Sequence, residues 1–133
     1  MNTKRPFVNA SVRLLLKAGL MRRSTALLET IGRKSGELRI TPVTNGLSGD
    51  QFWIVTEHGG RAGYVRNIEM NPRVRVKVGR RWRAGTAHFA PEVSPDTALT
   101  QIVNQNPATR RNVETIRKVQ TEMRVIRVEL DRE

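Results

Sequence analysis

Between Arg73 and Gly79 the chain reads Arg-Val-Arg-Val-Lys-Val-Gly, so that every second side chain is apolar. A period of two places Val74, Val76 and Val78 on one side of an extended backbone and Arg73, Arg75 and Lys77 on the other, which a helix cannot do. A strand with one apolar and one cationic face needs partners along both edges and a core under one face only. Neighbouring segments offer those partners. Ala26 to Ile31, Arg39 to Thr44 and Gln51 to Thr56 are short and apolar, the last carrying Phe52, Trp53, Ile54 and Val55. Arg81 to Ala90 and Met123 to Leu130 complete a set of six strands. Gly32-Arg33-Lys34-Ser35-Gly36, Asn45-Gly46, Ser48-Gly49-Asp50 and Gly79-Arg80 supply turn chemistry between them. The segments at 26–31, 39–44 and 51–56 read as an antiparallel meander. The whole set predicts a closed or nearly closed barrel, because closure removes exposed edges.

Helical spacing occurs in three places. Residues 7–22 carry Val8, Val12, Leu15, Leu16 and Leu20 at intervals of three and four, with Arg13 and Lys17 on another face and Phe7 as an aromatic anchor. Such a helix can pack on the core or lie on an anionic membrane surface. Tyr64 to Met70 reads as a short helix ending near Asn71-Pro72. Ser94-Pro95-Asp96 has a capping serine, then proline and an acid in the first turn. That helix is interrupted at Pro107, and a second piece runs to about Gln120. The 133 residues thus form one domain, with an N-terminal amphipathic helix in 1–25 and a barrel with helical insertions in 26–133.

Composition narrows the chemistry. There is no cysteine, which removes disulfides and thiolate chemistry, and His58 and His88 have no partner cluster that would hold a metal. The run Val12 to Leu20 is too short and too charged to span a bilayer, and the absence of cysteine suits a reducing compartment. The expectation is a cytoplasmic protein, with residues 7–22 as its route to any peripheral membrane contact. Lys and Arg number 24 against 12 Asp and Glu, a formal charge of +12. That field attracts nucleic acid, an acidic membrane or a multiply charged small molecule. Aromatic residues at 5% are too few for an obvious base-stacking platform.

Chemistry is most concentrated at Gly32-Arg33-Lys34-Ser35-Gly36-Glu37-Leu38-Arg39. A glycine-bracketed turn can aim several backbone N–H groups at one point, as a phosphate requires, and Arg33, Lys34 and Arg39 add three cations. The same residues also describe a solvated basic hairpin tip. Neither a Ser/His/Asp triad nor a carboxylate dyad is evident.

The run Leu28-Glu29-Thr30-Ile31-Gly32-Arg33-Lys34-Ser35-Gly36 with Arg39, Thr41 and Pro42 resembles the signature of the deazaflavin-dependent nitroreductase family. Trp53-Ile54-Val55-Thr56-Glu57-His58-Gly59-Gly60 is similar to that family's next strand and Gly-Gly turn. Tyr64-Val65-Arg66-Asn67 through Asn71-Pro72-Arg73-Val74 is similar to its following segment. The resemblance implies a split β-barrel of the flavin-binding type, mainly β, that carries coenzyme F420 in a groove. It implies that Arg33, Lys34, Ser35, Gly36 and Arg39 bind the phosphate and acidic tail. Pro42, Val43, Thr56, Glu57, His58, Gly59 and Gly60 would border the deazaflavin ring, with Tyr64 and Asn67 from the next segment. His58 is a candidate proton donor. The implied activity is transfer of hydride from reduced F420 to a quinone, enone or nitro compound, by a monomer or a homodimer. The alternatives are a basic barrel that binds nucleic acid, and a split-barrel relative that binds FMN, haem or lipid. Three features depart from the family pattern. Glu57 and His58 stand where Ser or Asn and a Lys are common, the loop between Gly60 and Tyr64 is short and lacks the common His-Pro, and Tyr64 is the single tyrosine of the chain, so the tyrosines that well-known members place near the substrate from the C-terminal region are missing.

Overall fold

The computed structural model describes residues 6–7, 23–56, 62–119 and 122–132. Eight strands form one sheet: β1 (Pro6–Phe7), β2 (Thr25–Ile31), β3 (Leu38–Thr44), β4 (Leu47–Ser48), β5 (Gln51–Thr56), β6 (Arg73–Val78), β7 (Arg81–Phe89) and β8 (Arg124–Leu130). Three α-helices accompany it: α1 (Gly63–Met70), α2 (Pro95–Gln105) and α3 (Arg110–Lys118), with a short 3-10 turn at Pro107–Thr109. The strand order is β1-β3-β2-β6-β7-β8-β5-β4. Every pairing is antiparallel except β1 with β3.

The alternating strand behaves as its pattern requires. Val74 and Val76 point inward and are buried. They meet Ala26 and Leu28 of β2, Phe52 and Ile54 of β5, and Ile126 and Val128 of β8 in a single cluster. Since β2 and β5 lie near opposite ends of the strand order, one shared core means the sheet curls round on itself. The outward residues are tied to partners instead of being bare. Arg75 makes two 2.7 Å bonds to the Glu29 carboxylate on the adjacent strand. Arg73 makes bonds of 3.0 and 2.6 Å to Asp131. Arg75 and Lys77 both lie over the Trp82 ring, at 4.8 and 5.9 Å.

Two expectations need correction here. The expected meander stops after β3: β5 pairs with β8 and with the two-residue β4, and not with β3. The reason is burial on both faces. Phe52 and Ile54 enter the barrel core, while Trp53 and Val55 pack beneath Leu99 and Ile102 of α2 and Val113 and Ile116 of α3. A strand covered on both sides belongs where the helices are. The second correction concerns Phe7, expected at the start of a helix over 7–22. Pro6 and Phe7 are strand, in parallel register with Leu38 and Arg39 on the open edge of β3. An edge tolerates proline because its missing N–H need not join a ladder. The remainder of that segment, residues 8–22, lies outside the described residues.

The two-residue β1 and β4 raise the expected six strands to eight, and the longer elements fall where their signals put them. Ser94 caps α2 by accepting a bond of 3.1 Å from the Thr97 N–H. Pro107 ends it, and Asn106 bridges the break by accepting from the Ala108 N–H. Closure is incomplete. Beyond β1 and β4, the edges of β3 and β5 face each other across a slot, and the Trp53 N–H reaches Gly46 O at 2.9 Å at one end of it.

Candidate functional site

The turn after β2 is built by its glycines and its hydrogen bonds. Gly36 sits at φ 73°, in the left-handed region that residues with a Cβ rarely adopt. Its N–H donates to Gly32 O at 2.8 Å, the Gly32 N–H to Glu37 O at 2.7 Å, and the Glu37 N–H to Ser35 Oγ at 3.1 Å. The Arg33 N–H donates to Asn67 Oδ1 at 3.1 Å. The turn therefore uses the N–H groups of Gly32, Arg33, Gly36 and Glu37 within the protein. Fewer amides are left to converge on a ligand than the glycine spacing suggested. The turn's attraction for an anion comes mainly from side chains.

Those side chains line one groove. Arg33, Lys34, Ser35 and Arg39 share a cavity of about 520 Å³ with Thr41, Tyr64 and Asn67. Arg33 and Lys34 are exposed. Arg39 stands 3.8 Å from the Glu37 carboxylate, with both side chains roughly half exposed. An ion pair so loose and so wet is weak, and an anion of higher charge can compete for Arg39. Arg66 is exposed on α1 next to Asn67 but does not line the groove.

A second cavity of about 170 Å³ adjoins the first, and Ala62 and Tyr64 line both. It is the slot between the barrel edges. Pro42 and Val43 form one wall, Trp53, Ile54 and Val55 the other, and Leu99, Ile102 and Ile116 reach it from the helices. Among the described residues its lining contains no Lys, Arg, His, Asp or Glu. A cationic groove thus neighbours a recess lined mainly by aliphatic and aromatic side chains, with Ala62 and Tyr64 common to both.

The structure brings together Arg33, Lys34, Ser35, Arg39, Pro42, Val43, Tyr64 and Asn67 along this path, with Gly36 shaping the turn. Thr56 stands apart. It is fully buried, and its hydroxyl accepts the Arg124 N–H at 3.0 Å, which ties β5 to β8. Glu57, His58, Gly59 and Gly60 lie outside the described residues. The helical wall is invisible to a local reading of the sequence. Leu99, Ile102 and Ile116 carry ordinary helix periodicity, and nothing local reveals that they overhang a slot formed by strands far earlier in the chain. Thr30, a buried strand residue bonded to Asn67, was equally silent.

Among the described residues there is no group of His, Asp or Glu arranged to hold a metal ion, and no helix long and apolar enough to cross a membrane.

The curled sheet with its open seam is a split β-barrel, the architecture of several solved proteins. An F420-H2 dependent reductase superposes with a TM-score of 0.61 at 23% identity, over 82% of this chain and 96% of that one. The haem storage protein HutZ of Vibrio cholerae gives 0.60 at 14% identity, over 89% of each chain. Sequence is more specific. The family model for F420H(2)-dependent quinone reductases matches residues 8–129, and the chain belongs to that family. An F420H(2)-dependent quinone reductase of Mycobacterium tuberculosis strain H37Rv is 39% identical over 88 residues. The match takes in 63% of this chain and spans 59% of that relative's length.

Proposed function

We propose that this chain binds reduced coenzyme F420 in the groove and passes its hydride to a small organic acceptor, a quinone, an enone or a nitro compound. The observation that carries the reading is that a cationic cavity and a slot lined mainly by aliphatic and aromatic side chains share Ala62 and Tyr64. A ligand with a polyanionic tail and a flat ring needs both chemistries at one address. The donor set fits such a group: Arg33, Lys34 and Arg39 at the mouth oppose the charge of a phosphodiester and glutamates. When bound, the deazaflavin supplies a two-electron hydride. The protein's task is to bind, orient and exclude water. Pro42 and Val43 would border the ring on one side, and the helix residues Leu99, Ile102 and Ile116 keep the far end of the slot dry. Glu57, His58, Gly59 and Gly60 would approach the ring from the end of β5. His58 is the candidate to deliver a proton to the reduced acceptor.

The nucleic-acid alternative loses its main support, since Arg73 and Arg75 are engaged by Asp131 and Glu29. FMN and haem compete on fold alone, and fold does not settle ligand. The test is a thermal-shift and fluorescence titration with oxidised and reduced F420, FMN and haem in parallel, followed by turnover with a series of quinones. Only a ligand of the native state raises Tm. F420 raises it and the others do not; a shift with FMN or haem and none with F420 refutes the proposal. Size-exclusion chromatography with and without cofactor decides between a monomer and a homodimer. The expected compartment is the cytoplasm, and binding to anionic vesicles tests for peripheral membrane contact.

A further inference from the structure

Asn67 lines the groove, yet its amide oxygen and one N–H of its amide nitrogen are spent on neighbours within the protein. It is 5% exposed, and Oδ1 accepts two bonds from Arg33, one from the backbone N–H and one from Nη1, each 3.1 Å. Nδ2 donates to Thr30 Oγ1 at 3.1 Å. Thr30 is fully buried on β2 and does not line the cavity. An amide oxygen has two acceptor sites, and Arg33 fills both.

We infer that Thr30 and Asn67 form a positioning pair that holds Arg33 in its anion-binding pose, and that Asn67 acts on the ligand through Arg33. The inference rests on the anion site of the preceding section and adds residues that work behind it. The two N–H donors of Arg33 require the amide oxygen, which turns Nδ2 toward β2, where the Thr30 hydroxyl accepts it and holds the amide in place. That single oxygen then holds both the backbone and the guanidinium of Arg33, which folds the side chain over its own turn. An arginine on an exposed hairpin otherwise samples many rotamers, and ordering it on binding weakens affinity. Here the ordering precedes the ligand. The clamp engages one of the five N–H donors of the guanidinium.

Four single variants and one double separate this role from direct contact: Asn67→Ala, Thr30→Val, Thr30→Ser, Arg33→Ala and Asn67→Ala with Arg33→Ala. Each is titrated with oxidised F420 by fluorescence, with a deazaflavin fragment lacking the phosphodiester and glutamates, and with inorganic pyrophosphate by calorimetry. Asn67→Ala and Thr30→Val each weaken F420 and pyrophosphate about five-fold, the scale of one lost hydrogen bond. Thr30→Ser stays at the parent value, and the fragment binds all variants equally, which also reports an intact slot. Asn67→Ala has no further effect once Arg33 is alanine. Thr30→Val is nearly isosteric and carries the test if Asn67→Ala does not fold. A parent-like Thr30→Val, or a second five-fold loss from Asn67→Ala in the Arg33→Ala background, overturns the inference. A parent that shows this pattern with pyrophosphate but binds no F420 refutes the cofactor reading and leaves the positioning pair standing. A parent that holds neither ligand has no anion site, and the inference falls with it.

Discussion

At the scale of the residue, the cations divide into those that build the barrel and those that serve the groove. Arg75 belongs to the first group. Its partner Glu29 is a carboxylate in the interior of the sheet, 4% exposed, whereas the Arg75 side chain is 43% exposed. The Glu29 bonds hold the Arg75 guanidinium above its ordinary pKa, so it is charged at every working pH. Removing the arginine strands a buried charge; removing the glutamate leaves an arginine that water can solvate. Arg75→Leu is therefore expected to cost about 2 kcal/mol, below the full range for breaking a buried pair because the arginine is half in water, and Glu29→Gln to cost less. Urea unfolding of both variants checks the order. Asp131 offers a pH test. Its bonds to Arg73 hold the carboxyl below its ordinary pKa. The native state therefore favours the ionised form, and this stabilisation is present at neutral pH and fades as the pH falls below about 4, through the lowered native value. Asp131→Asn should lower Tm at pH 7, and parent and variant should converge in strong acid. In the second group, Arg33→Ala or Arg39→Ala should weaken F420 about ten-fold with Tm unchanged, since each removes charge-assisted bonds to the ligand and little from the fold.

At the scale of the element, the glycine before β4 and the helix cap carry the sharpest expectations. A Cβ at Gly46 would lie 1.9 Å from Trp53 O and 2.8 Å from its carbonyl carbon, both backbone atoms of β5. Nothing flexible is available to give way. Gly46→Ala must push β5 from its place at the seam, so the variant should lose both thermal stability and binding of the tail-less deazaflavin fragment. An unchanged Tm would show that the seam is softer than its geometry. Ser94→Ala removes the cap of α2 and should cost about 1 kcal/mol by chemical denaturation. Much of this level was legible beforehand. Period two identified β6, the aromatic run identified β5, and Ser94-Pro95 marked the start of α2. The failure at Phe7 is instructive, since a helical spacing of apolar residues contains no information about an unpaired strand edge waiting nearby.

At the scale of the whole molecule, a formal charge of +12 surrounds a groove whose own cations sit at one end. The field draws an anion toward the protein, and the groove decides which anion remains. Raising the salt concentration should therefore weaken F420 binding steeply while leaving the uncharged fragment almost unaffected, because screening acts on charge and not on apolar contact. Equal salt dependence for the two ligands would contradict the division of labour between mouth and slot.

The sequence by itself determined the six longer strands, most of the turns between them and that Arg33, Lys34 and Arg39 would share one end of a hairpin. Each of these follows from interactions within a few residues: side-chain alternation, glycine at a positive φ, like charges set close together. Tertiary structure alone decided that β5 would leave β3 for β8, that helices far downstream would wall a slot, and that Asn67 would take the Arg33 N–H. Those outcomes depend on burial shared among distant segments. A local pattern states which face must leave water but is silent about what will cover it.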